Sequence, residues 1–186
     1  MLYYLHGYLS TPNSTKGKLL HERLNAIIID YHQGPPESLD VDTSLRKIAK
    51  TIEGDADPVL IGSSFGGFLA AEIALNCINV KTIILLNPAI IPPGADTRPF
   101  EEIPKSILNR MMNNGLFATK LHARVVILMG THDELIPEDW AIFFAKSQEA
   151  TLRFLDDDHA FTNNPTRLLK VIEEVVHSRN HVSGLA

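Results

Sequence analysis

Cysteine is nearly absent from this 186-residue chain, and the single thiol, Cys77, excludes an internal disulfide framework and a multi-thiolate zinc site. Such scarcity suits a reducing compartment. No apolar run approaches the roughly 20 residues needed to span a bilayer. The opening residues Met1 to Ser10 carry no basic segment, and their apolar run breaks after five residues, so no signal peptide is expected. Basic charge is short as well: 17 Lys and Arg stand against 22 Asp and Glu, a formal charge of −5. Nucleic acid is therefore excluded as a main ligand, because phosphate binding wants a basic face. The expectation is a soluble, cytoplasmic protein without a membrane partner.

What the chain does have is a core. With 45% hydrophobic and 21% charged residues, residues 1–186 read as a single globular domain, long enough to bury about 70% of the surface its unfolded form exposes. Repeats, low-complexity tracts and interdomain linkers are missing. Short apolar runs alternate with helical patterns, the rhythm of a parallel sheet. Six strands are predicted: Leu2–Leu5, Ala26–Ile29, Val59–Ile61, Lys81–Leu86, Arg124–Met129 and Thr151–Leu155. Most are continuous Val, Ile and Leu, as in strands covered on both faces, whereas the charge within the last suits a sheet edge.

Helices are expected between them. Val41, Leu45, Ile48, Ala49 and Ile52 share one face, and Gly54 ends the run. Leu168, Leu169, Ile172, Val175 and Val176 repeat the pattern after Asn164-Pro165, a cap followed by an N1 proline. Phe65–Cys77 is apolar nearly all round and reads as a buried helix in which Cys77 is a small buried hydrophobe. Weaker patterns cover Ser14–Leu24 and Glu138–Ser147. The connection Asn87–Ala123 breaks the rhythm; residues 88–122 read as a short cap, with a helix marked by Ile103, Ile107 and Met111 and stopped near Gly115, or as a plain crossover with a long entry. Residues 179–186 read as a frayed tail.

The strongest chemical signal is Gly62-Ser-Ser64-Phe-Gly66, placed directly between a strand and a helix. A serine on so sharp a turn needs neighbours almost without side chains two places to either side. Putting Ser63 at the apex would bring Ile61 and Phe65 into those crowded positions, so Ser64 is the candidate nucleophile. A glycine-rich phosphate-binding turn would show the same general look. However, the second glycine of GxGxxG is missing and no Gly-Lys-Ser/Thr follows.

A serine hydroxyl is a weak nucleophile until a base takes its proton and an acid holds that base. Asp133 follows the fifth predicted strand and His159 the sixth. A parallel sheet delivers all its strand ends to one edge, so these loops should converge on Ser64. Glu134 competes with Asp133 for the acid, although the following Leu-Ile-Pro favours Asp133; His132 reads as a loop histidine. Asp156, Asp157 and Asp158 read as a solvated turn able to raise the basicity of His159. Backbone N–H groups of Tyr8 and Phe65 are the candidate oxyanion donors, with Gly7 allowing close approach and His6 tying its loop by hydrogen bonds. No metal is implied: the one i, i+4 histidine pair, His177 and His181, ends the last helix without an acidic pattern.

These residues resemble the α/β-hydrolase superfamily. The segments Tyr4-Leu-His-Gly-Tyr-Leu-Ser-Thr-Pro-Asn-Ser-Thr-Lys16, Ile61-Gly-Ser-Ser-Phe-Gly-Gly-Phe68 and Leu86-Asn-Pro-Ala89 are similar to those of the small bacterial YqiA-type esterases, over residues 1 to about 172. The resemblance implies a compact hydrolase without the first two strands of the full superfamily sheet. Its expected activity is that of an esterase or thioesterase on short acyl groups, with Ser64 as nucleophile, Asp133 as acid, His159 as base and no cofactor. One departure is that such proteins often carry glycine just before the histidine, where this chain has Asp156–Asp158. The expected fold is a three-layer α/β-hydrolase fold: a reduced six-stranded parallel sheet, order 2-1-3-4-5-6, with helices on both faces. A shallow, open site is expected, lined by Tyr8, Phe65, Ile90, Ile91, Met111 and Phe161, taking a small-molecule acyl ester or thioester. An amidase or peptidase on the same triad, and a non-catalytic module binding a hydrophobic ligand, remain as alternatives.

Overall fold

The computed structural model describes residues 1–112 and 115–178. Six strands, β1 (Leu2–Leu5), β2 (Ile27–Ile28), β3 (Val59–Ser63), β4 (Thr82–Leu86), β5 (Arg124–His132) and β6 (Thr151–Asp158), form one sheet in the order β2-β1-β3-β4-β5-β6. Every pairing is parallel. Side chains alternate between the two faces, as the pleat requires. Leu60, Ile83, Leu85, Val125 and Ile127 enter one apolar core, while Val59, Ile61, Ile84, Leu86, Val126 and Leu128 enter the other. The double burial explains why these strands carry no polar alternation.

Helices α1 (Thr15–Leu24) and α7 (Pro165–Ser178) cover the second face; α2 (Val41–Ile52), α3 (Phe65–Asn76) and α6 (Glu138–Gln148) cover the first. Their starts are locally encoded. The Ser14 hydroxyl accepts from the Gly17 amide (3.2 Å) and the Asp40 carboxylate from the Thr43 amide (2.7 Å), each satisfying a donor that the first helical turn leaves free. All of Phe65 to Ala74 is buried, so α3 is the central helix behind the sheet edge.

The sequence underestimates β5 and β6 and overestimates β2. The first two run on to His132 and Asp158, and their pairing continues past Gly130 through an irregular register to His132–Asp158. Helix α4 (Lys105–Met111) ends before Gly115, and that glycine opens a second short helix, α5 (Gly115–Ala118). The tail at 179–186, and with it His181, lies outside the described residues.

The cap is pinned to the body. Arg110 of α4 reaches the buried Glu72 of α3 (3.3 Å) and the exposed Asp42 of α2 (3.2 Å). The Gln148 side-chain amide donates to the carbonyls of Leu116 (2.7 Å) and Thr119 (3.1 Å), and its oxygen accepts from the Leu121 amide (2.8 Å). Among the described residues no helix is long and apolar enough to cross a membrane.

Candidate active site

Strand β3 ends at Ser63, helix α3 begins at Phe65, and Ser64 makes the whole turn at φ 54° and ψ −119°. An L-residue rarely adopts this conformation, and the packing around it over-determines it. A Cβ on Gly62 would lie 2.3 Å from the Gly66 carbonyl oxygen, and one on Gly66 would lie 2.2 Å from that of Leu5. Both obstacles are backbone and cannot swing away. The ladder carries on across the turn: the Ser64 amide donates to the Leu86 carbonyl (2.9 Å), while its carbonyl accepts from Gly67 (2.8 Å) and Ala89 (3.0 Å). Ser63, the rejected apex, instead has a buried hydroxyl that accepts from Lys16 Nζ (2.8 Å).

Asp133 follows the last residue of β5. Its Oδ1 accepts from the amides of Leu135 (2.8 Å) and Ile136 (3.0 Å), which fix the carboxylate in a turn. His159 follows the last residue of β6 and places Nδ1 at 3.0 and 2.9 Å from the two Asp133 oxygens. The pair is sheltered, with side-chain exposures of 16% for His159 and 2% for Asp133, so bulk water screens it little. With Nδ1 donating to the carboxylate, Nε2 is left as the basic nitrogen. Ser64 and His159 line the same cavity. Among the described residues the Ser64 hydroxyl makes no hydrogen bond, as is common for a nucleophile before substrate binds. Glu134 sits in the cavity wall, and among the described residues it is Asp133, not Glu134, that bonds the imidazole. His132 pairs with Asp156 on the exposed surface (2.9 Å).

The Asp156–Asp158 segment is not a solvated turn; all three residues belong to β6. Alternation turns Asp157 inward, where it is fully buried and accepts from the amides of Asp158 (3.0 Å), Asn163 (2.9 Å) and Asn164 (3.0 Å). Three N–H dipoles replace the water that a buried carboxylate would otherwise need. Asp158 accepts from the Thr162 amide (2.9 Å) and from its hydroxyl. Burial works against the charge of Asp158, but these hydrogen bonds outweigh it and hold the carboxyl below its ordinary range. The acidic run thus shapes the histidine loop from within.

Asn87, which reasoning from residue types passed over, locks that loop. It is completely buried just past β4; its Oδ1 accepts from the Gly130 amide (2.7 Å), and its Nδ2 donates to the carbonyls of His159 (3.0 Å) and Asp158 (3.2 Å). The signal in the sequence was the Leu86-Asn-Pro-Ala89 stretch, which carried the family resemblance without a role for its asparagine.

The amides of Tyr8 and Phe65 make no backbone hydrogen bond among the described residues, which leaves both available to a ligand. The Gly7 loop touches the nucleophile, since a Cβ there would stand 3.5 Å from Ser64 Cβ. That is an ordinary contact, so glycine at this position is not forced by crowding. His6 behind it is buried, stacks on Tyr31 at 4.4 Å, and shares Nδ1 with the Gly7 carbonyl (2.9 Å) and the Tyr31 hydroxyl (3.2 Å). Its Nε2 is buried without a partner among the described residues. Burial pushes the imidazole below its ordinary value against the opposing pull of the Gly7 carbonyl, so His6 holds its loop as a neutral group.

The cavity above Ser64 measures ≈ 800 Å³, near the upper end of small-molecule sites. Tyr8, Phe65, Ile91, Met111 and Phe161 line it. Ile90 does not; it is buried in the core, because adjacent residues of an extended segment point opposite ways and Ile91 takes the cavity side. Nor is the site shallow. The cap contributes Pro99, Phe100, Ile103 and Leu108 to a wall, and α6 contributes Trp140. Cys77 is only half-buried at the end of α3, where burial pushes its thiol up.

The sheet order, its two helical layers and a serine elbow at the carboxyl edge define the α/β-hydrolase fold. Solved structures agree. Est1E from Butyrivibrio proteoclasticus with ferulic acid bound superposes with a TM-score of 0.79 at 17% identity, covering 95% of this chain and 88% of that one. Mouse alpha/beta hydrolase domain-containing protein 10 gives 0.76 at 19% identity, with 95% and 89% covered. The monoacylglycerol lipase of Paleococcus ferrophilus gives 0.75 at 16% identity, with 95% and 93% covered. Residues 1–175 match the family described as "Uncharacterised protein family (UPF0227)", and the chain belongs to that family. A UPF0227 protein of Vibrio cholerae serotype O1 is 26% identical over 145 residues, 73% of this chain and 76% of the relative.

Proposed function

We propose that the chain is a serine hydrolase that cleaves carboxylic esters or thioesters of short acyl groups through an acyl-Ser64 intermediate, in a cytoplasmic setting consistent with its single cysteine. The observation that carries this reading is the sheltered His159–Asp133 pair, whose His159 lines the same cavity as a serine on a strained turn. A binding module would have no use for a base and an acid so arranged. The monoacylglycerol lipase among the solved neighbours, and the ferulic acid bound to Est1E, support an acyl or carboxylic substrate class.

In the proposed cycle, His159 Nε2 takes the Ser64 proton as the hydroxyl oxygen attacks the acyl carbon. Asp133 holds the tautomer and stabilises the imidazolium. The tetrahedral oxygen accepts from the Tyr8 and Phe65 amides, each donor contributing about 3 kcal/mol to the transition state. The imidazolium then protonates the leaving oxygen or sulfur, the acyl–heteroatom bond breaks, and water repeats the sequence on the acyl-enzyme. Short-chain p-nitrophenyl esters and a fluorophosphonate probe test the scheme. Wild type should turn over the ester and label at Ser64, and Ser64→Ala should do neither. Full turnover by Ser64→Ala, or no labelling of well-folded wild type, would refute it.

A further inference from the structure

Alternation along β3 sends Ser63 to the face covered by α1 and α7, opposite to the cap. There its hydroxyl meets Lys16 Nζ at 2.8 Å, and the same ammonium lies 5.1 Å from the centre of the Phe161 ring. Lys16 also lines the cavity that holds Ser64 and His159. It forms no salt bridge among the described residues. One hydroxyl and one ring leave an ammonium with donors to spare. The cavity therefore has two unlike sides. The cap side is mostly apolar, from Ile91, Phe100, Ile103, Leu108 and Met111 with Glu102 among them; the α1 side holds Tyr4, Ser14, Lys16 and Thr162 beside Leu19.

We propose that Lys16 binds a carboxylate carried by the leaving group, so that the site takes acyl esters or thioesters of hydroxy or mercapto acids. The proposal rests on the acyl-transfer reading above. The leaving atom must face His159, which protonates it, and Phe161, two residues beyond His159, carries Lys16 over its ring. This leaves the cap side for the acyl chain. A single negative charge fits better than a polyanion: among the described residues Lys16 is the only Lys or Arg lining the cavity, and Glu37, Glu102 and Glu134 line it too.

Burial lowers the ammonium to about 8, opposed by Asp158, Asp157 and Asp133. Among the described residues the other titratable groups lining the cavity are Tyr4, Tyr8, Glu37, Glu102, Glu134 and His159, and burial keeps the Tyr4 phenol neutral by pushing it to about 12. Lys16 is therefore largely cationic at pH 7 and loses its charge above pH 8.

Two thioesters that differ in one group provide the test: S-butyryl-N-acetylcysteine and its carboxamide, with thiol release as the readout. Wild type should favour the carboxylate by about tenfold in kcat/KM, mostly through KM. That ratio should fall towards one in Lys16→Met, recover in part in Lys16→Arg, and decline as pH rises through 8. A purely structural role would slow both substrates alike and keep the ratio. A wild-type ratio near one, or a ratio preserved in Lys16→Met, overturns the proposal. If Lys16→Met does not fold, the pH dependence of the wild-type ratio and the Lys16→Arg variant decide in its place. Turnover of neither thioester, with no labelling of Ser64, would refute acyl transfer itself. Titration of N-acetylmethionine against wild type and Lys16→Arg, followed by NMR, then judges Lys16 separately: saturable carboxylate binding in wild type, altered in the variant, supports it, and its absence from wild type refutes it.

Discussion

Replacing Asn87 with alanine removes three hydrogen bonds at once from a fully buried site. The Gly130 amide is left without its acceptor, which costs about 1–3 kcal/mol, and each lost bond to the Asp158 and His159 carbonyls adds about 1 kcal/mol. Asn87 also sits at φ 45°, where asparagine is tolerated and alanine costs about 1 kcal/mol more. The sum is about 4–6 kcal/mol out of a total of roughly 5–15, a fall in Tm of about 8–24 °C for a chain this long. Catalysis should suffer separately, because the His159 carbonyl is one of the groups released. A shift of about 1 Å in the imidazole is enough to lower kcat about 100-fold. Asn87→Asp keeps the acceptor for Gly130 but sets a carboxylate against two carbonyls, so it should be at least as damaging. Urea melts with kcat and KM on a short-chain ester measure both effects. A variant within 1 kcal/mol of wild type, with unchanged kcat, would show that the loop is held by something else.

Gly66→Ala drives a Cβ to 2.2 Å from the Leu5 carbonyl oxygen and should cost more than about 3 kcal/mol, whereas Gly7→Ala meets only ordinary contacts and should stay within about 1 kcal/mol in the same melts. Asp157→Asn has one carbonyl oxygen for three backbone donors, so at least one N–H faces an NH₂ group, and a loss of about 1–3 kcal/mol is expected by thermal denaturation. His6 has a folded-state pKa below its ordinary 6.5, so as pH falls the unfolded chain binds the proton first. Its contribution to stability is complete above 6.5 and is lost as pH drops through the lower folded value. The urea midpoint should therefore fall on acidification below pH 6.5, and His6→Gln should flatten that limb; identical slopes in the two proteins would contradict a buried neutral imidazole.

Local rules made most of the architecture legible. Doubly buried strands announce themselves as unbroken Val, Ile and Leu, and the elbow follows from a steric demand within five residues. The acidic run misled for a physical reason. Three adjacent carboxylates look hydrated by composition, yet Asp157 is fully buried because amides at 158, 163 and 164 take the place of water. That exchange is invisible without the path of the next loop. Asn87 is 43 residues from Gly130 and 72 from His159, and Lys16 is 47 from Ser63. No periodicity reports such partners.

The depth of the site shows the same logic at larger scale. Residues 88–122 read as no more than a short cap, and a shallow site follows if that chain lies flat. It does not lie flat, because α4 and α5 are fastened at separate points: Arg110 to Glu72 and Asp42, and the Leu116–Leu121 stretch to Gln148. Glu72 is only 2% exposed, against 31% for Arg110. Losing Arg110 therefore takes a cationic partner from a buried carboxylate, which costs more than a surface pair, typically worth about 0–1 kcal/mol. A short segment anchored at both ends can stand as a wall where a longer, unanchored one would collapse or fray. Depth at this site is thus set by where the cap is tied, and Arg110→Met should alter acyl-chain preference, read as kcat/KM across esters of rising length, before it abolishes turnover. An unchanged chain-length profile in a folded Arg110→Met variant would mean that the wall stands without its tether.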